Sequence, residues 1–168
     1  VSEMDAGDIV RTDAIAIEPT ETGGLLYSRL KFQAALSASN FVRQLVIDDM
    51  EYTPQDHSSK TFAPTLKKDN GYLQFDKKTY IEVFNQIRAL NPWPATYFYM
   101  GETRVKVLES EAADLSLESN QIDISHNNLI VGCKEGSIRL TRVQLEGKKE
   151  CSDIELLNGL KNKDFDFT

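Results

Sequence analysis

Two kinds of side chain in this sequence could do chemistry: a carboxylate in a turn and a set of lysines and arginines. Asp5 lies in the segment Met-Asp-Ala-Gly-Asp at residues 4–8. A carboxylate there either accepts hydrogen bonds from nearby backbone N–H groups, as in an Asx turn, or supports an imidazole during proton transfer. On the residues alone, the Asx turn is the favoured interpretation.

The basic candidates are spread along the chain and could contact phosphate if the fold brings them to one face. Lys148 and Lys149 follow Gly147 in a predicted exposed turn, where a solvated loop is the alternative to a phosphate contact. The other candidates lie in a connector, on a helix edge or on alternating strands. They are Lys67, Lys68, Arg88, Arg104, Lys106, Arg139 and Arg142.

The overall charge restricts how such a surface could work. The chain has a net charge of -7, and residues 92–168 carry 9 lysines and arginines against 13 aspartates and glutamates. Phosphate affinity comes largely from counterion release by basic side chains, so this balance argues against indiscriminate nucleic-acid binding. Any RNA contact must come from a local basic patch.

Metal-binding and membrane functions have little support in the sequence. His57 and His126 lie in polar stretches without acidic or cysteine partners at metal-ligand spacing, so we expect no metal. Cys133 and Cys151 form no Cys-x-x-Cys pair, and we expect free thiols in a reducing compartment. Because no apolar run approaches membrane-spanning length, we expect a soluble intracellular protein without a membrane partner. We also expect a monomer.

The elements that must position these residues meet at a corner that contains the only tryptophan. Apolar residues recur at helical spacing between Thr79 and Leu90, and Pro92 must end that helix because it cannot donate a backbone N–H. Trp93 follows directly. We expect its ring to be buried between the helix of residues 79–90 and the first strand.

After the corner the apolar period changes to two, which predicts short strands joined by hairpin turns. A capping box at residues 152–155 then begins a short final helix. An exposed acidic loop is predicted at residues 110–119. Five short strands favour a small closed barrel. The predicted strands occupy residues 95–100, 103–109, 122–124, 129–133 and 137–145.

The first part of the chain follows a different pattern. It predicts a strand at residues 8–17 and then a long amphipathic helix capped at Thr20 or Thr22, which is the closing unit of an open α/β domain. The hydrophobic period lapses across residues 48–70, which predicts an exposed connector. Because the sequence begins at Val1 and reads at once like the middle of a fold, we interpret it as a fragment.

Several of these motifs, in the same order, resemble the methionyl-tRNA formyltransferase family. The most specific is Asn-Pro-Trp-Pro at residues 91–94, with Gly-Lys-Lys at residues 147–149 downstream. The Met-Asp-Ala-Gly-Asp turn is shared with other folate-dependent formyltransferases. The sequence departs from the family at Thr65, where lysine is usual, and at Phe75, where tryptophan is usual. It also lacks the usual Pro-Gly-Thr before the third strand, so we expect residues 110–125 to be remodelled.

The resemblance covers nearly the whole chain and implies an α+β fold. Its parts would be the tail end of an α/β Rossmann-like formyltransferase domain, a linker, and a helix followed by a small OB-like antiparallel β-barrel that binds tRNA. The implied boundaries are residues 1–50, 51–70 and 71–168.

The resemblance also implies an activity for the parent protein: transfer of a formyl group from 10-formyltetrahydrofolate to the amino group of initiator Met-tRNA. The parent would act in the bacterial cytoplasm or an organelle of bacterial descent. Asp5 matches the family's catalytic aspartate, whereas the catalytic asparagine and histidine have no counterpart here, so we expect the chain alone to be inactive. The basic residues named above would contact tRNA. The alternatives are a sugar-nucleotide formyltransferase and a non-enzymatic OB-type RNA-binding module.

Overall fold

The computed structural model describes residues 5–47 and 51–160, which divide into two compact units. Met4 of the N-terminal turn and residues 48–50 of the predicted connector lie outside the described residues. Unit 1 comprises Val1–Pro19 with Leu25–Thr65, and unit 2 comprises Thr20–Gly24 with Leu66–Thr168.

Unit 1 contains most of the long helix α1, Gly23–Val46, which confirms the predicted amphipathic helix. The strand predicted at residues 8–17 was wrong. Within the described residues of that segment only Ile9 pairs, in an isolated antiparallel bridge to Thr53 with N···O distances of 2.8 and 2.9 Å. A strand needs a continuous ladder to a neighbour, and the alternating apolar pattern cannot supply that neighbour.

Unit 2 begins its regular structure with helix α2, Tyr80–Ala89, close to the predicted range. Both bonds of a capping box start it: the Glu82 N–H donates to Thr79 Oγ1 at 3.3 Å, and the Thr79 N–H donates to Glu82 Oε2 at 2.8 Å. The helix ends at Leu90, whose N–H donates to the Gln86 carbonyl at 3.1 Å. Capping chemistry therefore fixes this element as the sequence predicted.

The corner after α2 does not bury its tryptophan. Trp93 is 59% exposed, so the predicted burial of its ring was wrong. Asn91 connects this corner to the sheet, because its Nδ2 donates to the Leu108 carbonyl at 2.9 Å. Phe75, from the segment before α2, packs edge-on against Phe98 with ring centroids 5.6 Å apart and supplies the buried aromatic pair.

The antiparallel sheet of unit 2 has the order β1-β2-β5-β4-β3, with β6 also paired to β5. All five predicted strands are confirmed in place. β2 continues further than predicted, so the first part of the predicted acidic loop is a strand, and the short β6 was not predicted. The strands are β1 Thr96–Met100, β2 Thr103–Ala113, β3 Ile122–Asp123, β4 Ile130–Gly132, β5 Ser137–Leu145 and β6 Cys151–Ser152.

The sheet does not close into a barrel within the described residues, because β1 and β3 do not pair. The expectation of a closed OB-like barrel was therefore wrong for this structure. The free side of β1 is occupied by Tyr72, which forms a parallel bridge with Tyr97, and the Leu73 N–H donates to the Tyr97 carbonyl at 2.8 Å. β3 has only two residues and cannot extend a ladder around to β1.

One face of this sheet packs on α2 and on the final helix α3, Asp153–Leu160. The predicted capping box of α3 is confirmed, since the Ser152 N–H donates to Glu155 Oε2 at 2.8 Å. Along β1 and β2 the side chains at Phe98, Met100 and Val105 enter the core, so their strand neighbours face outward. No helix in the described part of the chain is long and apolar enough to cross a membrane.

Candidate nucleic-acid interface

The outward face of β1 and β2 combines aromatic and basic side chains. The register places Tyr97 opposite Lys106 and Tyr99 opposite Arg104, and β5 places Gln144 on the other side of Lys106. Arg104 and Lys106 stand two residues apart on one strand, so both point away from the core. The predicted alternation of basic and apolar residues in β2 is confirmed.

The turn after β5 brings the two consecutive lysines to the same end of the sheet. The Glu146 N–H donates to the Arg104 carbonyl at 3.2 Å, and Gln144 Nε2 donates to the Lys148 carbonyl at 2.8 Å. Gly147 takes a φ of 72°, which glycine adopts at low cost. Lys148 is exposed, as is Lys149 after it. The groove between this turn and β2 is lined by Arg104, Lys106 and Gln144 through Gly147.

Two further lysines approach the other side of β1. Lys67 and Lys68 are exposed at the start of the 3₁₀ turn Lys68–Gly71, which leads directly into Tyr72. An Asn70 side chain holds this turn by accepting from the Lys67 N–H at 2.6 Å. This turn lies beyond the N-terminal end of β1, because Gly71 approaches the Ala95 carbonyl and the Asn70 carbonyl accepts from Gln86 of α2. We call the outward surface of β1, β2 and the turn after β5 the outer basic face. Its basic members are Arg104, Lys106, Lys148 and Lys149, and within the described part of the chain none of them forms an ion pair.

Two of the remaining predicted arginines are held by acidic partners. Arg139 bridges Asp153, at 2.7 Å from Nε to Oδ2, and Glu111, at 2.9 Å. The hydrogen bond to Asp153 is the main cause that raises the pKa of Arg139. Asp153 is 1% exposed and also accepts from the Leu129 N–H at 3.2 Å. Arg142 pairs with Glu150 at 3.0 Å on the surface.

Arg88 lies on α2, which packs on the core side of the sheet, opposite the outward face of β1 and β2. Its Nη1 donates to the Glu21 carbonyl at 3.2 Å, and its Nε donates to Asn85 Oδ1 at 2.8 Å. The structure thus brings four of the nine predicted tRNA-binding residues, Arg104, Lys106, Lys148 and Lys149, together at one end of the sheet. For all nine residues a role in tRNA contact stays a prediction.

Asp5 belongs to unit 1, where its backbone has a φ of 59° in the left-handed region. Its carbonyl accepts from Gln55 Nε2 at 3.0 Å. The same cleft is lined by Pro54, His57 and Phe62. Among the described residues no hydrogen bond to the Asp5 carboxylate is seen, so the Asx-turn interpretation has no support there. The described residues also contain no cluster of three or more acidic, histidine or cysteine side chains that could hold a metal.

The sequence analysis missed the tyrosines of the outer basic face. Tyr72, Tyr97 and Tyr99 form one cluster, with ring centroids 5.6 to 6.3 Å apart. A signal was present, because Tyr97 and Tyr99 alternate with buried Phe98 in a predicted strand and must therefore face outward. Tyr72 has no such pattern and joins the cluster only through the bridge to β1.

Comparison with known families gives the context of this surface. The sequence pattern described as "Formyl transferase, C-terminal domain" matches residues 65–161, which is more than half of the chain. The chain belongs to this formyl transferase family. The matched segment includes every basic residue of the outer basic face and none of the cleft beside Asp5.

Curated relatives of the formyl transferase segment extend the match to nearly the whole chain. The methionyl-tRNA formyltransferase of Streptococcus equi is 34% identical over 161 residues, covering 95% of this chain and 51% of the relative. That of Sulfurimonas denitrificans is 35% identical over 159 residues, covering 93% and 50%. The chain thus spans about half the length of the curated relatives it matches.

Solved structures share the fold. HypX from Aquifex aeolicus, in complex with tetrahydrofolic acid, superposes with a TM-score of 0.64 at 15% identity, over 96% of this chain and 29% of that one. An N-formyltransferase from Helicobacter canadensis, in complex with folinic acid and dTDP-3-aminofucose, gives a TM-score of 0.57 at 21% identity, over 82% of this chain and 51% of that one. These identities support the fold and nothing further.

Proposed function

We propose that unit 2 binds tRNA phosphates as part of a methionyl-tRNA formyltransferase. The full-length enzyme would transfer a formyl group to the amino group of initiator Met-tRNA, in the bacterial cytoplasm or an organelle of bacterial descent. One observation carries the proposal: four basic side chains, none of them in an ion pair among the described residues, share one end of the sheet in a chain whose net charge is -7. Clustering of this kind gives phosphate contacts where the average charge would repel RNA.

The distribution of charge supports tRNA over a small substrate. The turn with Lys148 and Lys149 adjoins Arg104 and Lys106 on β2, so several cations lie side by side, as contacts along an extended backbone require. A sugar nucleotide carries few phosphates and needs a concave pocket. The groove beside Arg104 contains Glu146, whose carboxylate would repel a diphosphate held there. The curated relatives are named methionyl-tRNA formyltransferases, which agrees with the proposal that unit 2 binds tRNA.

The formyl donor in this proposal is 10-formyltetrahydrofolate, and we assign no folate-binding residue in this chain. A pterin pocket needs buried polar groups directed at the ring. The buried side-chain nitrogen and oxygen atoms that lack a hydrogen-bond partner in the described residues all belong to unit 2, whereas Asp5 belongs to unit 1. Asp5 offers one carboxylate in an open cleft. It would support a catalytic histidine from the part of the enzyme that this chain does not match.

The test measures how tRNA binding depends on salt. We expect the 168-residue chain to bind initiator tRNA weakly, with a steep fall in affinity as salt rises. Replacing Lys148→Gln together with Lys149→Gln removes about two phosphate contacts and should lower the log-log salt slope by roughly 1 to 2. Fluorescence anisotropy with labelled tRNA at several salt concentrations measures both quantities.

A matched control separates local contacts from overall charge. Lys134→Gln removes a positive charge from an exposed site between β4 and β5, away from the outer basic face. It should lower the slope less than removal of one lysine of the 148–149 turn. Equal slopes for the control and the turn variants, or no binding near 50 mM salt, would show that the face does not contact tRNA.

A further inference from the structure

Three tyrosines form an exposed platform on the outer basic face. Tyr72 is 42% exposed and Tyr99 is 53% exposed, while Tyr97 lies between them and is half-buried. The Tyr97 and Tyr99 rings meet edge to face at 90°, with centroids 5.9 Å apart, and Tyr72 is tilted by 43° to Tyr97. The cluster fixes the rings by mutual packing and still leaves ring surface open to solvent.

The platform is not needed to fill the core. The core under β1 is occupied by Phe98, Met100 and Phe75, each no more than 4% exposed. Strand alternation puts Tyr97 and Tyr99 on the opposite side of the sheet, where threonine or a charged side chain would serve folding equally well. Exposed aromatic rings grouped in this way mark a binding surface rather than a structural requirement.

Arg104 supplies the charge beside these rings. Its guanidinium carbon lies 3.9 Å from the centroid of the Tyr97 ring, in cation–π geometry. Its Nε–H is buried and has no hydrogen-bond partner within the described residues. A stacked guanidinium retains its outward N–H groups, so an incoming phosphate oxygen can satisfy them. Lys106 follows on the same strand face and adds a second cation.

We propose that this platform binds unpaired nucleotides of RNA, with bases stacked on Tyr72 and Tyr99 and the adjoining phosphates bonded to Arg104 and Lys106. Alternating aromatic and basic groups suit single strands, whose bases are free to stack, better than a duplex, whose bases are already stacked. The inference rests on the proposed function and specifies which kind of RNA segment the face contacts. It predicts little preference among bases, since every base offers a flat ring.

A thermodynamic cycle tests stacking directly. The probes are a fluorescein-labelled oligoadenylate of about ten nucleotides and an abasic ribose-phosphate oligomer of the same length. Tyr99→Ala should weaken oligoadenylate binding roughly tenfold and leave the abasic oligomer almost unaffected, because only the first probe has bases to stack. Tyr99→Phe keeps the ring and should restore most of the affinity. The salt slope should stay unchanged in all tyrosine variants, because no charge is removed.

Tyr52→Ala is the matched control, since that side chain is 61% exposed and lies in unit 1. It should bind both probes as the parent chain does. Equal weakening of both probes by Tyr99→Ala, or no weakening of either, would overturn the platform while leaving tRNA binding by the lysines intact. Binding of oligoadenylate without tRNA binding would support the platform and refute the proposed function. If no RNA probe binds, both the platform and the proposed tRNA binding are refuted.

Discussion

The basic residues near the two ends of strand β5 differ in their partners. At its C-terminal end, the turn with Lys148 and Lys149 adjoins Arg104 and Lys106 of β2, and these cations have no acidic partner within the described residues. Toward its N-terminal half, Arg139 is locked between Asp153 and Glu111. The same residue types, on one sheet and a few residues apart, are therefore open to solvent at one end and stabilise the fold at the other.

The difference arises from what the core needs at each place. Asp153 is buried because it begins α3, where its carboxylate also bonds the Leu129 N–H. A buried carboxylate is costly without a cation, and Arg139 supplies one. At the other end the sheet runs into a glycine turn with no buried acid beneath it. Basic residues there remain available to solvent or to a ligand.

The largest expected effect on stability comes from removing Arg139, which pairs with the buried carboxylate of Asp153. Arg139→Ala should lower the free energy of unfolding by about 3 to 5 kcal/mol, because it leaves the Asp153 carboxylate buried without its partner. Urea denaturation measures this loss. Arg142→Ala is the control: its pair with Glu150 is about half exposed on both sides, so the loss should stay below about 1 kcal/mol. Similar losses in both variants would show that Arg139 is another surface ion pair.

The aromatic residues follow the same division between core and surface. Phe75→Ala should destabilise unit 2 by roughly 3 kcal/mol or more, because it empties a buried position that packs against Phe98. Trp93→Ala should change stability by only about 0.5 kcal/mol, since the indole is largely exposed. A blue-shifted tryptophan emission spectrum, poorly quenched by iodide, would contradict this placement of Trp93.

Local chemistry was readable from the sequence, and long-range placement was not. The capping boxes at Thr79 and Ser152 were predicted correctly because each depends on residues three apart. The exposure of Trp93 could not be predicted in this way, because burial depends on contacts with distant parts of the chain. The open sheet has a similar cause, since Tyr72 reaches the edge of β1 from before α2.

The candidate site shows the same limit. Alternation in β2 predicted that Arg104 and Lys106 share an outward face, and that proved correct. Nothing in the spacing distinguishes Arg139 from Arg104, since both alternate with apolar residues. The two arginines differ because Asp153, which follows β6 at the start of α3, lies next to Arg139 on β5. Arg139 therefore stabilises the fold, whereas Arg104 stays available to a ligand.

Burial of a thiol gives an intermediate effect with a defined pH window. Burial raises the pKa of Cys133 from 9.0 to about 11. Below pH 9 the thiol is neutral in both the folded and the unfolded chain. Between pH 9 and about 11 it ionises only in the unfolded chain, which stabilises the unfolded state. The contribution of the thiol to stability is therefore lost as pH rises. The stability difference between the parent chain and Cys133→Ala should therefore shrink from pH 8 to 11 in urea titrations. A constant difference would mean that the thiol titrates normally.

The smallest expected effect concerns the one acidic side chain in the groove beside Arg104. Glu146 stands in the same turn as Lys148, and its backbone N–H already bonds the Arg104 carbonyl, so Glu146→Gln should keep the turn intact. Removing its charge relieves repulsion of an incoming phosphate, worth about 0.2 to 1 kcal/mol at an exposed site. Affinity for tRNA should rise by up to about fivefold at low salt, and the gain should disappear as salt screens the charge. Glu135→Gln, at the opposite hairpin between β4 and β5, is the matched control and should give no comparable gain. If both glutamates behave alike, the response reflects net charge, and the end of β5 has no special place in binding.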